Sequence, residues 1–169
     1  MVICVKVNVN IDTREQQNKH ILKVFKKHKI DYSIQKVDEG DYSISIPEIN
    51  HTCKTIIERK ASLEEISANL CEPKDENGHN RFEKELIRAK EKGIKIILLI
   101  ENATWYEDLL NHNYRTRMNP NSFRGRILSL CSKYDVHIVG VSKEYAGSFI
   151  YNTLYYQLRD ELKEMNIKI

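Results

Sequence analysis

Residues 94–100, Ile-Lys-Ile-Ile-Leu-Leu-Ile, are apolar at every position but Lys95, and this run constrains the fold more than any other. Successive side chains on a strand point to opposite faces, so a strand apolar on both faces must be covered on both. Helices therefore have to lie above and below it. The flanking sequence supplies them: a helix is predicted over residues 81–92 and stopped by Gly93, and another over 122–133. A buried strand is expected at 136–141. Ser142 is a candidate N-cap for a final helix over 144–164, where Ala146, Ile150, Leu154, Leu158 and Leu162 recur every fourth residue with Phe149 beside them.

The N-terminal part is richer in strands. It is apolar from Val2 to Val5, after which Val5, Val7, Val9 and Ile11 alternate with Lys6, Asn8 and Asn10, the pattern of a strand with at least one buried face. Thr13-Arg14-Glu15-Gln16 has the form of a capping box, and Ile21, Leu22 and Phe25 fall on one side of a helix ending near residues 28–30. Residues 32–37 and 42–46 read as a hairpin closed by Asp38-Glu39-Gly40-Asp41, with a third strand over 54–60 completing a meander. Ser62-Leu63-Glu64-Glu65 opens a short helix carrying Leu63, Ile66 and Leu70, residues 72–80 form a polar loop, and the stretch from 101 to 121 reads as irregular. The order β-α-β-β-β-α-α-β-α-β-α describes a three-layer α/β fold, a mixed central sheet flanked by helices. At 169 residues a single domain is expected.

The net charge of +3, from 27 basic and 24 acidic residues, says little about partners, so the distribution must decide. No apolar run is long enough to span a bilayer, so a soluble intracellular protein with no membrane partner is expected, in cytoplasm, nucleoid or nucleus. Richness in Lys, Ile and Asn suits an AT-rich genome, a viral one included. Cysteines at 4, 53, 71 and 131 lack C-x-x-C spacing and read as buried free thiols, and the six histidines show no metal-ligand spacing.

The chemically unusual segment is Gly40-Asp41, then sixteen residues, then Glu58-Arg59-Lys60. Residues two apart on a strand share a face about 6–7 Å apart, so Glu58 and Lys60 point one way and Arg59 the other. Antiparallel pairing of residues 42–46 with 54–60 brings the start of one strand to the end of the next, which lets Asp41 and Glu58 meet. Two convergent carboxylates beside a lysine fit a divalent-cation site for phosphodiester hydrolysis: Mg²⁺ prefers hard oxygen ligands and is often held by one or two carboxylates, substrate phosphate and water. Lys60 would position the attacking water or offset developing charge.

Asp12-Thr13-Arg14-Glu15, Gly40-Asp41-Tyr42, Glu58-Arg59-Lys60 and Arg81-Phe82 opening a helix that runs into the apolar strand together resemble the nuclease domain of the XPF-type structure-specific endonucleases, of the restriction-endonuclease-like PD-(D/E)xK group. The resemblance runs from about Val2 to Leu158. It implies a restriction-endonuclease-like fold, Asp41 and Glu58 as ligands of Mg²⁺ or Mn²⁺, Lys60 as catalytic lysine, and roles for Asp12, Arg14 and Arg59. Arg81, Glu15 and Glu64 are implied as supporting residues around the site. Glu64 stands where the family has Asp, one methylene longer. Family members often carry a tandem helix-hairpin-helix or a helicase domain, and this sequence reads as the nuclease domain alone. The resemblance also implies a homodimer or heterodimer through the C-terminal helix, where Tyr151, Tyr155 and Tyr156 suit an interface.

Between Leu109 and Tyr134 there is no Asp or Glu, but there are Arg115, Arg117, Arg124, Arg126 and Lys133, with Tyr114 and Phe123 interleaved. This reads as a set of phosphate contacts whose affinity falls with salt. A second basic group, Lys19, Lys23, Lys26, Lys27 and Lys29, lies on the first predicted helix. The leading expectation is a metal-dependent endonuclease of branched or flapped DNA, acting in repair, recombination or replication. The alternatives are a non-catalytic junction-binding subunit of a heteromeric nuclease, and a nuclease of the same superfold with another nucleic-acid substrate.

Overall fold

The computed structural model describes residues 6–167. The apolar start of the first predicted strand, Val2 to Val5, and Cys4 lie outside the described residues. The chain divides into two compact units, one from residues up to 57 together with those from 144 onward, the other from residues 58–143.

In the first unit β1 (Asn8–Asp12) leads through α1 (Lys19–Lys27) to β2 (Tyr32–Gln35). β2 pairs with β1 in parallel, Val9 opposite Tyr32, and β3 (Tyr42–Ile46) pairs with β1 from the other side, antiparallel, Ile11 opposite Tyr42. The expected hairpin between residues 32–37 and 42–46 is therefore corrected. A helical crossover returns β2 parallel to β1, and residues 36–41 carry the chain past β1 to its far edge. β1 is buried on both faces: Asn10 is as covered as Val9 and Ile11, and its Nδ2 donates to Ser43 Oγ and Ser45 Oγ, both at 3.1 Å. The Thr13 box caps no helix. Asp12 Oδ1 accepts from Arg14 N–H and the Asp12 carbonyl from Glu15 N–H, a turn that satisfies the same backbone groups, and α1 begins only after Asn18.

The two-residue β4 (His51–Thr52) pairs with β3, and β5 (Thr55–Lys60) lies antiparallel to β3 with Tyr42 opposite Ile57, as the meander requires. α6 (Ala146–Glu164) starts later than expected because residues 143–145 form a 3-10 turn, so Ser142 is not its cap. The four-residue stripe is its buried face. Gly147 is required there: a Cβ would lie 2.9 Å from Val24 Cβ and 3.3 Å from Ile21 Cα, so α1 and α6 meet almost backbone to side-chain root. Glu161 anchors the far end, accepting from Lys54 N–H at 2.9 Å and Cys53 Sγ at 3.3 Å, with His51 Nε2 at 3.1 Å. Burial pushes the Cys53 thiol up to about 12, so it stays protonated.

The second unit holds the end of β5, then α2 (Leu63–Leu70), α3 (Arg81–Glu91), β6 (Lys95–Ile100), α4 (Trp105–Asn111), α5 (Pro120–Tyr134) and β7 (His137–Gly140). β6 pairs with β7 in parallel and is buried from Ile96 to Ile100. α3 opens on a full capping box, Asn80 with Glu83. α4 occupies part of the stretch read as irregular; it buries only Leu109 and Thr104 offers no side-chain cap, so neither periodicity nor capping announces it. Cys71 and Cys131 are exposed, not buried as expected, while Cys53 is buried. Among the described residues the strands form a mixed sheet flanked by helices: in the first unit the order is β2-β1-β3-β5 with β4 on β3, and in the second β6 pairs with β7. Among the described residues no helix is long and apolar enough to cross a membrane.

Candidate active site

The site is built on β5, whose last three residues are charged and buried: Glu58, Arg59 and Lys60 are 6%, 6% and 7% exposed. Removing such groups from water is costly unless each finds a partner. The pleat divides them as the two-residue period predicts. Arg59 Nη1 lies 3.1 Å from Glu101 Oε2, which is itself buried just past β6, and the Glu101 N–H donates to the Lys60 carbonyl at 2.9 Å. Lys60 Nζ meets Glu58 Oε1 at 2.7 Å, lies 3.9 Å from Glu65 Oε1, and sits 4.8 Å from the centre of the Phe82 ring.

The electrostatics around Glu58 are lopsided. Burial pushes its carboxyl up, Lys60 pulls it down, and the carboxylates of Glu85 and Glu65 push it up again, so the net direction is upward. The sequence missed these neighbours, since Glu65, Glu85 and Phe82 come from the two helices after β5. The only available signal was the buried-face spacing of Phe82 and Glu85 on α3.

In the first unit, the Asp12 side chain is 1% exposed and bonded to Arg14 Nε at 2.6 Å, Arg14 N–H at 2.9 Å and Val37 N–H at 2.8 Å. Burial alone would raise its carboxyl; the Arg14 side chain and these two amides outweigh that and hold it below the ordinary carboxylate range. The Asp12 N–H donates to the Asp41 carbonyl at 2.8 Å, and the Asp41 N–H to the Ile57 carbonyl at 2.9 Å. Asp41 thus directly precedes β3, whose first residue, Tyr42, is registered against Ile57. Gly40 makes the approach possible: its φ is +73°, and a Cβ there would lie 2.9 Å from Ile56 Cδ1 and 3.2 Å from the Ile57 carbonyl.

Other expected residues are engaged elsewhere. Glu64 accepts from Arg115 N–H at 3.2 Å, whereas its neighbour Glu65 is the acid that approaches Lys60. Exposed Arg81 pairs with Glu72 at 3.2 Å. Arg126, read from sequence as a phosphate contact, is an internal strut: it donates to the Leu70 carbonyl at 2.7 Å and to Glu83 Oε1 at 3.3 Å, tying the end of α2 to the start of α3. Arg124 bonds Asn121 one turn back, and Arg115 and Arg117 are exposed. Among the described residues no group of three or more His, Cys, Asp or Glu side chains is arranged to hold a metal ion. A site of one or two carboxylates completed by phosphate and water is what Mg²⁺ commonly uses.

The family model of the ERCC4 domain matches residues 11–153. The chain belongs to the ERCC4 domain family. Its fold is that of the XPF-type nuclease domain. XPF from Aeropyrum pernix is similar over 93% of this chain and 69% of its own, with a TM-score of 0.62 at 16% identity. The same protein in a complex with DNA gives 0.63 at 15% identity, over 92% of this chain and 66% of its own. The chain thus spans about two thirds of these relatives, and the likeness is one of fold. Comparison with curated proteins finds no match. The ERCC4 match includes all the buried charges of β5 and the Gly40-Asp41 turn.

Proposed function

We propose that this ERCC4 domain is a metal-dependent endonuclease that hydrolyses a phosphodiester bond in branched or flapped DNA. The observation that carries the reading is the end of β5, where buried Glu58 and Lys60 are 2.7 Å apart and the Glu65 and Glu85 carboxylates act on Glu58. The DNA bound by the similar Aeropyrum pernix XPF supports the substrate class. Asp41 and Glu58 would hold Mg²⁺ or Mn²⁺ through their carboxylate oxygens. Such an ion, when bound, polarises the scissile phosphate and acidifies a bound water.

The remaining work falls to side chains. The Lys60 ammonium, paired with Glu58 and set over Phe82, would hold the attacking water and balance charge on the phosphorane-like transition state. Arg59, clamped by Glu101, fixes the strand so that Glu58 and Lys60 keep their common face. Arg14, 59% exposed at its side chain while bonded to Asp12, would meet a substrate phosphate from the solvent side. Dimerisation through α6 is part of the same proposal, with Tyr151, Tyr155 and Tyr156 in mutual ring contact.

The test incubates the protein with labelled fork, 3′-flap, Holliday-junction, duplex and single-stranded DNA, in Mg²⁺, Mn²⁺ or EDTA, beside Asp41→Asn and Lys60→Ala shown to be folded by circular dichroism. Metal-dependent nicking of branched DNA, lost in both variants, is expected. Junction binding without cleavage in any metal would overturn the enzyme in favour of an architectural subunit, and equal cutting of plain duplex or single-stranded DNA would overturn the preference for branches.

A further inference from the structure

On α2, Glu64, Ser67, Ala68 and Cys71 fall at the i, i+3, i+4, i+7 spacing of one helix face. This face is separate from the one that carries Glu65 to Lys60. It forms one wall of an open groove of about 670 Å³, continued by Glu72 and Pro73 and closed opposite by Arg115, Thr116 and Arg117. The opposite wall is firmly held. Thr116 Oγ1 bonds Ser67 and accepts from Met118 N–H, Arg115 N–H donates to Glu64, and the Tyr114 ring packs tilted against buried Phe123 with centroids 5.1 Å apart. The groove is therefore built, with guanidinium groups on one rim and a narrow floor of Ala68, Pro73 and the Cys71 thiol.

We propose that this groove takes the unpaired single strand of the branched substrate. The inference rests on the nuclease reading and names where one arm of that substrate lies. The charge pattern favours nucleic acid: the segment carrying Arg115 and Arg117 has no acidic residue from Leu109 to Tyr134. Of its four arginines, these two are the exposed ones, because Arg126 is spent on Leu70 and Glu83 and Arg124 is half-buried against Asn121. Guanidinium groups bind phosphate and stack on bases, so Arg115 and Arg117 can meet both the backbone and the face of an unpaired base without reading its identity. Glu64 and Glu72 on the other wall are acceptors for Watson–Crick-edge N–H groups, the N3–H of thymine included, which only an unpaired base presents freely. A duplex, with its bases stacked inside, has no use for the floor.

The experiment measures anisotropy of a fluorescein-labelled oligo-dT 15-mer and of a 15-base-pair duplex, in EDTA, against the wild-type chain, Arg115→Ala/Arg117→Ala and Ala68→Glu. EDTA removes cleavage from the readout, so the groove is tested by binding whether or not the chain cuts DNA. Loss of two phosphate contacts, or a carboxylate set on the floor, should weaken oligo-dT binding about tenfold, while duplex affinity changes less than about twofold. The arginine pair should also reduce the slope of log affinity against log salt by about 1.4. Exposed Cys71 gives an independent reading: oligo-dT should slow its alkylation by maleimide, with Cys131, exposed on α5 and not among the groove residues, unaffected. Equal losses on oligo-dT and duplex, an unchanged affinity in Ala68→Glu, or unprotected Cys71 would each overturn the groove.

Discussion

The two faces of β5 carry neighbouring charges to different ends. On one, Arg59 and Glu101 lie 3.1 Å apart, 5% and 2% exposed at their side chains. On the other, Lys60 meets Glu58 at 2.7 Å and lies 3.9 Å from Glu65, while the Glu85 and Glu65 carboxylates both push the Glu58 carboxyl up. The first is a pair of opposite charges that holds β5 in place. The second keeps a carboxyl whose proton affinity burial and neighbouring carboxylates raise. Burial alone does not make a site; burial beside like charge, which perturbs proton affinity, points to one.

That contrast breaks first at Arg59. Arg59→Leu strands the Glu101 carboxylate and should cost about 3–5 kcal/mol of stability, measured by urea unfolding. Arg59→Leu/Glu101→Leu should recover most of it, and a double variant no better than the single would show that the faces do not differ as described. Lys60→Ala should do the reverse, since Glu58 can answer by taking up a proton. Folding is retained and the cleavage rate falls by roughly 10²–10³-fold, the scale of losing one charge-stabilising donor. A single-turnover assay on flap DNA reads it.

Gly40→Ala comes next in size. A left-handed φ of +73° and the 2.9 Å approach to Ile56 Cδ1 should cost about 1–3 kcal/mol, visible as a lower urea midpoint at unchanged slope. The smallest effect is in acid. Asp12 has a folded pKa below that of the unfolded chain, so its stabilisation is full above the unfolded value of about 3.9 and fades as pH falls through the folded one. Asp12→Asn should therefore flatten the acid limb of the stability profile below about pH 4; an unaltered limb would mean that Arg14 and the Val37 amide do not hold the carboxylate in solution.

The sequence made the sheet centre and the division of β5 legible because both follow from short periods. The apolar run at 94–100 had one use, and Glu58 and Lys60 had to share a face. Pairing partners were less visible. Nothing local distinguishes a hairpin from two strands separated by β1, since the turn-forming Asp38-Glu39-Gly40-Asp41 suits either, and the outcome depends on where α1 returns the chain. Capping boxes misled at Thr13, where Asp12 offers the backbone a turn instead. On α2 the two adjacent acids differ by one position, about 100° around a helix, and only the placement of the segment near Arg115 decides that Glu64 leaves the site and Glu65 stays. Arg126 looked like any basic contact because its acceptors, the Leu70 carbonyl and Glu83, lie 56 and 43 residues away.

Gly140 ends β7 beneath Trp105: a Cβ there would fall 2.2 Å from the indole Cδ1 and 2.4 Å from the Asn102 carbonyl. Trp105 is the one tryptophan in the chain, so the protein carries a single indole reporter. Its emission reads the corner where α4 starts and β7 stops, within the second unit, and is blind to the first. Unfolding followed by indole fluorescence and by far-ultraviolet dichroism therefore samples one corner and the whole backbone respectively, and any gap between the two curves would time the melting of that corner against the rest.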